Sequence, residues 1–122
     1  MRKIKFRGKA LYNEKWVYGN LRIFGERAYI SAIDCHAQSE VHRSTVGQFT
    51  GLKDKNGTEI YEGDIIIEED EIFEVCWYDD LAAFIAEMTC NERPFLMSDL
   101  DLKKCKIINN IHEQGKEVGN EV

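Results

Sequence analysis

The sequence predicts a mainly β protein, a meander of short strands. Three observations carry that expectation. Runs rich in β-branched and aromatic residues recur from end to end. Turn signals such as Gly25-Glu26, Asn56-Gly57 and Glu62-Gly63-Asp64 separate them. Ile65-Ile66-Ile67 is apolar on both faces, as in a strand covered on both sides.

Taken in order, Ile4-Lys5-Phe6-Arg7 alternates apolar and basic, the pattern of an edge strand. Tyr12-Asn13-Glu14-Lys15 is a polar turn. Trp16 to Phe24 resumes strand composition, with Val17, Gly19, Leu21 and Ile23 on one face and Trp16, Tyr18, Asn20 and Arg22 on the other. Gly25-Glu26 turns the chain, and Ala28 to Ile33 returns as the second arm of a hairpin. From Asp34 to Ser44 neither period holds, so a loop or a short helical turn is expected.

Asn56-Gly57 is a strong hairpin signal, because both residues tolerate the positive φ of a tight turn. It joins Phe49–Lys53 to Thr58–Tyr61, and Asp54 can accept hydrogen bonds within its own turn. Ile72 to Tyr78 forms the next strand, with Phe73, Val75 and Trp77 on one face, and Asp79-Asp80 ends it. Leu81 to Met88 fits a further strand by length and flanking turns, although its alanines also permit helix. Pro94 falls in a loop, Ser98 or Asp99 can cap one helical turn, and Cys105 to Ile111 is the closing strand. No repeat or linker divides the chain, so residues 1–122 are read as one domain. Its parts are an N-terminal β elaboration over 1–45, a compact β part over 46–113, and a polar, mobile tail over 114–122.

At 122 residues, with 43% hydrophobic and 11% aromatic side chains, the chain can build a core without staples. It has no apolar run near a spanning length and no secretory leader, so a cytoplasmic location is expected. The four cysteines, Cys35, Cys76, Cys90 and Cys105, contain no Cys-x-x-Cys pair, and a reducing compartment argues against disulfides. Cys76 and Cys105 read as small hydrophobes in strands. His36 and His42 lie near Cys35, but no further ligand completes a tetrahedral set, so no metal is assigned. No cofactor motif is present.

The net charge of −6 disfavours broad binding to phosphate backbones. It is unevenly spread: Arg2, Lys3, Lys5, Arg7 and Lys9 crowd the start, whereas Glu68-Glu69-Asp70-Glu71 and Asp79-Asp80 are concentrated acid. Acids at strand ends serve turns and blunt edges, and that reading is preferred to an acidic recognition patch.

The segment Thr50-Gly51-Leu52-Lys53-Asp54-Lys55-Asn56-Gly57-Thr58-Glu59-Ile60-Tyr61-Glu62-Gly63-Asp64-Ile65 resembles the signature of the YopX family, T-G-L-x-D-K-N-G-x-x-I-Y-E-G-D-hydrophobic. Ile4-Lys5-Phe6-Arg7 is similar to that family's opening strand. Ile107-Ile108-Asn109-Asn110-Ile111-His112-Glu113 is similar to its closing stretch. Asn109 stands where the family has glycine, and Gln114-Gly115 replaces its usual Asn-Pro.

The resemblance implies a phage or prophage setting inside a bacterial host and a C-terminal part similar to a small SH3-like barrel. It also implies homo-oligomeric assembly, and it supplies no reaction, cofactor or catalytic residue. Independently of it, Thr50, Gly51, Leu52, Asp54, Asn56, Gly57, Ile60, Tyr61, Gly63 and Asp64 read as turn and core residues.

Three functions are weighed on these grounds. A non-enzymatic protein-interaction module, binding a host or phage protein, would use Trp16, Tyr18 and Tyr29 as aromatic anchors. A nucleic-acid-binding small barrel would use the basic N-terminal strand with nearby aromatics, against the overall charge. An enzyme is least supported, since His36, His42 and His112 are scattered and no nucleophile, metal or phosphate-loop motif occurs.

Overall fold

The computed structural model describes residues 3–32, 37–79, 81–88, 94–97 and 100–113. The chain forms two compact units, Met1–Gly51 and Leu52–Val122. Eleven strands carry nearly all of the regular structure among the described residues, so the fold is mainly β.

The first unit holds β1 (Phe6–Lys9), β2 (Trp16–Phe24), β3 (Arg27–Ser31), β4 (Gln38–Val41) and most of β5 (Gly47–Lys53). Their antiparallel order is β4-β3-β2-β1-β5. The far edge of β4 also returns to the end of β1. Ala10 bridges Val41, Leu11 N donates to Glu40 O, and His42 N donates to Lys9 O at 2.8 Å. Ala28, Ile30 and Val41 form the core on one face, packed by Phe6, Val17, Leu21 and Val46. The period-two reading of β2 thus holds where β2 meets its core.

Two features of this unit depart from the sequence reading. The opening strand is not an edge: β1 pairs β2 through Phe6↔Gly19 to Lys9↔Trp16 and pairs β5 through Phe6↔Gln48 and Arg7↔Gly47. Its alternating basic residues suggested solvent, yet Arg7 and Lys9 are each only 6% exposed. Their long stems and charges lie on aromatic faces. The expected irregular stretch also contains a strand, β4, whose polar Gln38-Ser39-Glu40 gave no apolar signal. Backbone pairing to β3, Ala28↔Val41 to Ser31↔Gln38, creates it.

The β2–β3 turn uses two residues, Gly25 and Glu26, with Gly25 at φ 63°. A first central glycine at positive φ is what a type II′ hairpin requires. Gly19 is more constrained. At φ +152°, a Cβ there would sit 2.0 Å from the Ser31 carbonyl oxygen.

The second unit contains β6 (Glu59–Tyr61), β7 (Asp64–Glu68), β8 (Glu71–Tyr78), β9 (Ala83–Met88), β10 (Pro94–Leu96) and β11 (Cys105–Asn110). The last five form an antiparallel sheet in the order β10-β9-β8-β7-β11. The triple isoleucine lies in the central part of β7, where Ile65 and Ile66, on opposite faces, are both buried and Ile67 is half-buried, as its two-faced apolarity predicts. Ile60, Ile66, Phe73, Val75, Ala86, Met97 and Cys105 make the core. Among the described residues the pairings leave this sheet open and form no closed barrel.

The ambiguous Leu81–Met88 stretch is a strand from Ala83, after a turn with Ala82 at φ 48°. Pro94 begins an edge strand rather than lying in a loop. A short 3-10 turn at Leu102–Lys104 is capped by Asp101, whose side chain accepts from Lys103 N. The expected caps Ser98 and Asp99 lie outside the described residues, as do Asp80 and the tail from 114.

Candidate functional site

Two places concentrate chemistry-bearing side chains: the motif of the second unit and the non-core face of the first unit's sheet. The motif is built as follows. β5 ends at Lys53, and a type I turn over Asp54–Gly57 closes with Gly57 N donating to Asp54 O and Asp54 N donating to Thr58 O at 2.9 Å. Of Asn56 and Gly57, only Gly57 takes positive φ, at 80°. The hairpin therefore has a three-residue loop ending in a glycine bulge.

Asp54 is 7% exposed. Its Oδ1 accepts from Asn56 N at 2.9 Å and Thr58 N at 3.0 Å, and its Oδ2 accepts from Ile107 N at 3.1 Å. Burial alone would raise its pKa. The backbone donors Ile107, Thr58 and Asn56, with the charge of Lys55, outweigh burial and hold the carboxyl below its ordinary value. This aspartate fastens its own turn and ties it to β11.

Asp64, 2% exposed, acts the same way one turn later. Its Oδ2 accepts from Tyr61 N at 2.8 Å across the Glu62-Gly63 turn. Gly63, at φ 96°, donates to Val75 O and accepts from Ile111 N, each at 2.8 Å. Ile60 and Tyr61 are buried and Leu52 packs on the core. Thr50 and Gly51 lie in β5, with Gly51 at φ 89° and open space around its Cβ position. The Asp54 and Asp64 carboxylates of the motif are thus directed at neighbouring backbone, and the Tyr61 hydroxyl donates to Glu59 Oε1 at 3.2 Å.

On the non-core face of the second sheet, Glu74 stands opposite Glu87, beside Cys76 and Tyr78. The Tyr78 hydroxyl donates to Glu87, and the Cys76 thiol donates to Glu74 Oε2 at 3.5 Å. Burial, then the Glu74 charge, pushes the Cys76 thiol up to about 12, and burial with Glu68 and Asp101 pushes Cys105 to about 11. A nucleophilic thiol needs the opposite shift. A shift from 9.0 to about 12 leaves about a thousandfold less Cys76 thiolate near neutral pH. In a C35S/C90S variant, alkylation by iodoacetamide at pH 8 is therefore expected to be far slower than that of free cysteine until the chain is unfolded. Rapid modification of the folded variant would contradict this picture.

Among the described residues, no three His, Cys, Asp or Glu side chains converge as a metal site. His42 Nε2 contacts Glu14 Oε2 at 2.6 Å, on the β1–β2 turn. Cys35, His36 and Cys90 lie outside the described residues.

The non-core face of the first sheet is different in kind. Along β1 and β2, Lys9 stands opposite Trp16 and Arg7 opposite Tyr18. Arg7 lies over the Trp16 ring at 4.6 Å, Lys9 approaches the same ring at 5.9 Å, and Lys5 lies over Phe49 at 5.5 Å. Along β2 and β3, Arg22 stands opposite Tyr29 and Phe24 opposite Arg27. Arg27 also lies 3.9 Å from Glu40.

Trp16, Tyr18 and Tyr29 thus share a face, as the alternation predicts, but do not form one cluster. Trp16 is half-buried under the β1 cations, Tyr18 is 48% exposed, and Tyr29 lies further along the hairpin beside Arg22. Phe24, 69% exposed at the hairpin end, belongs to the same row and was missed by the sequence reading. Its adjacency to the Gly25 turn was the available signal.

Charge is divided between the units. Residues 1–51 contain nine Lys or Arg and four Asp or Glu, a formal +5. Residues 52–122 contain seven and eighteen, a formal −11, which together give the −6 of the chain. Whole-chain charge hides a basic unit.

A sequence model of the family described as YopX protein matches residues 5–117. The chain belongs to the YopX family. A search of curated proteins finds no match. The fold is similar to that in the crystal structure of protein EF1440 from Enterococcus faecalis, with a TM-score of 0.59 and 21% identity, covering 97% of this chain and 99% of that one. At that identity the likeness speaks to fold alone. Within this YopX chain, the family signature coincides with the Asp54 and Asp64 turns. No helix among the described residues is long and apolar enough to cross a membrane.

Proposed function

We propose that this YopX chain is a non-catalytic interaction module that meets its partner through the outer face of the β2–β3 hairpin. The observation that carries this reading is the exposed row of Tyr18, Arg22, Phe24 and Arg27 on a sheet whose opposite face is core. Aromatic and arginine side chains held on a rigid sheet supply contact area at low ordering cost. The setting we propose is phage or prophage, in the host cytoplasm, with a host or phage protein as partner and assembly as a homo-oligomer. A second reading, nucleic acid, gains from the +5 charge of the first unit.

A catalytic reading has less to draw on. The Asp54 and Asp64 carboxylates are engaged by backbone donors, and the described thiols are shifted away from reactivity. The test is photo-crosslinking in cells, with a crosslinking amino acid in place of Tyr18 or Phe24 and, as control, in place of exposed Ile108 on β11. Discrete adducts at Tyr18 and Phe24 but not at Ile108 are expected. Adducts at Ile108 alone would overturn the reading.

A further inference from the structure

We infer that the outer face of the β2–β3 hairpin is a short docking site for single-stranded nucleic acid. The inference rests on the reading of this face as the contact surface, and in place of the protein partner it takes the second class named there, nucleic acid.

The argument starts from register. Each outward aromatic on this face stands directly across from a cation: Trp16 from Lys9, Tyr18 from Arg7, Tyr29 from Arg22, and Phe24 from Arg27. The first two cations are 6% exposed and lie along the inner strand, so they hold the platform rather than reach a ligand. The outer two pairs are arranged as a checkerboard. Phe24 and Tyr29 are diagonal neighbours, as are Arg22 and Arg27. Diagonal neighbours across an antiparallel pair are about 7–8 Å apart. Aromatic faces at that spacing can each take one splayed base, with a guanidinium beside each for its phosphate.

That repeat matches nucleic acid better than polypeptide. Every nucleotide brings one π-face and one negative charge, and stacking on aromatics tolerates any base. An acidic protein surface would use the arginines but offers no regular planar group to Phe24 and Tyr29. A duplex hides its base faces, so the match is to a single strand. The supporting field is the +5 charge of residues 1–51. Arg43 adds a further cation close to the tip, since its Nη1 donates to Gly25 O at 3.1 Å. Two acids stand nearby: Glu26 in the turn, and Glu40, opposite Tyr29 and 3.9 Å from Arg27. They limit affinity and give a diagnostic substitution.

The test is fluorescence anisotropy of a labelled oligothymidylate of about twelve nucleotides with the full chain, at a series of salt concentrations. Saturable binding is expected at low salt. With Arg22 and Arg27 as the two phosphate contacts, log K against log salt should have a slope of about −1.4. Phe24→Ala and Tyr29→Ala should each weaken binding about tenfold or more. Arg22→Ala with Arg27→Ala should flatten the slope, and Glu40→Gln should tighten binding. Thermal melts of each exposed-site variant confirm the fold.

Absence of saturable binding at low salt would overturn the inference, as would Phe24→Ala and Tyr29→Ala binding like the parent. Competition by polyglutamate as effective as by unlabelled oligonucleotide would also overturn it, by pointing to charge alone. The crosslinking result at Tyr18 and Phe24 stands or falls separately, because it asks only whether this face meets a partner.

Discussion

Replacing Gly19 by alanine is expected to destabilise the first unit by about 3 kcal/mol or more, a loss that lowers the melting temperature by about 10 °C or more. The cause is a backbone collision. A Cβ at Gly19 would meet the Ser31 carbonyl oxygen at 2.0 Å and the Ser31 carbonyl carbon at 2.8 Å. Neither atom can rotate away as a side chain can. Relief requires β2 and β3 to separate beside Asn20↔Ser31, the start of their pairing. Gly25→Ala is the control. Its φ is also positive, at +63°, but nothing lies within 4 Å of its Cβ position, so only the conformational cost of about 1 kcal/mol applies. Thermal unfolding followed by circular dichroism checks both. Equal effects of the two substitutions would show that close approach at Gly19 is not the constraint.

The second large effect is expected at Asp54. Its carboxylate accepts three backbone N–H groups, from Asn56, Thr58 and Ile107. Asp54→Ala leaves those donors without their acceptor in a buried place and should cost about 3 kcal/mol or more. Asp54→Asn is expected to fall between. Its single oxygen can keep the turn donors, but its NH2 then faces Ile107 N.

The pH dependence has a definite sign. The folded pKa lies below the ordinary 3.8, so the carboxylate's contribution is fully present above the ordinary carboxylate range. It fades as the pH falls below about 4 and is lost once the folded pKa is passed. In urea unfolding from pH 7 to 3, the gap between the parent and Asp54→Ala should therefore begin to narrow as the pH falls below about 4. A constant gap across that range would contradict the assignment.

Much of this was legible in the sequence because it is local. Gly25-Glu26, Asp54 to Thr58 and Glu62 to Asp64 are turns whose donors and acceptors lie within a few residues of one another. The alternation of β2 announced which side chains face out. Ile65-Ile66-Ile67 announced a strand covered on both faces, and Ile65 and Ile66 are buried on opposite faces.

What escaped reading depends on distant pairing. Arg7 and Lys9 look like edge residues until β5 arrives some forty residues later to flank β1. Gln38-Ser39-Glu40 carries no apolar signal, and only β3 makes it a strand. Asp54 reads as a turn residue, but its bond to Ile107 spans 53 residues of chain and cannot be seen locally. The candidate site was half legible for the same reason. Trp16, Tyr18 and Arg22 were placed on one face by the alternation of β2, which Phe24 continues, whereas the standing of Arg22 opposite Tyr29 and of Arg27 opposite Phe24 appears only once β2–β3 register is known.

The family signature and the contact surface are thus assigned to different parts of the chain, and that separation is the central claim. The most direct test is amide chemical-shift mapping of the full chain titrated with the same oligothymidylate. The account predicts shifts concentrated on β2 and β3, at Tyr18, Arg22, Phe24 and Tyr29, with the amides of Asn56, Thr58 and Tyr61 unmoved. Shifts centred on Asp54 to Asp64 would contradict it, by making the signature itself the binding site.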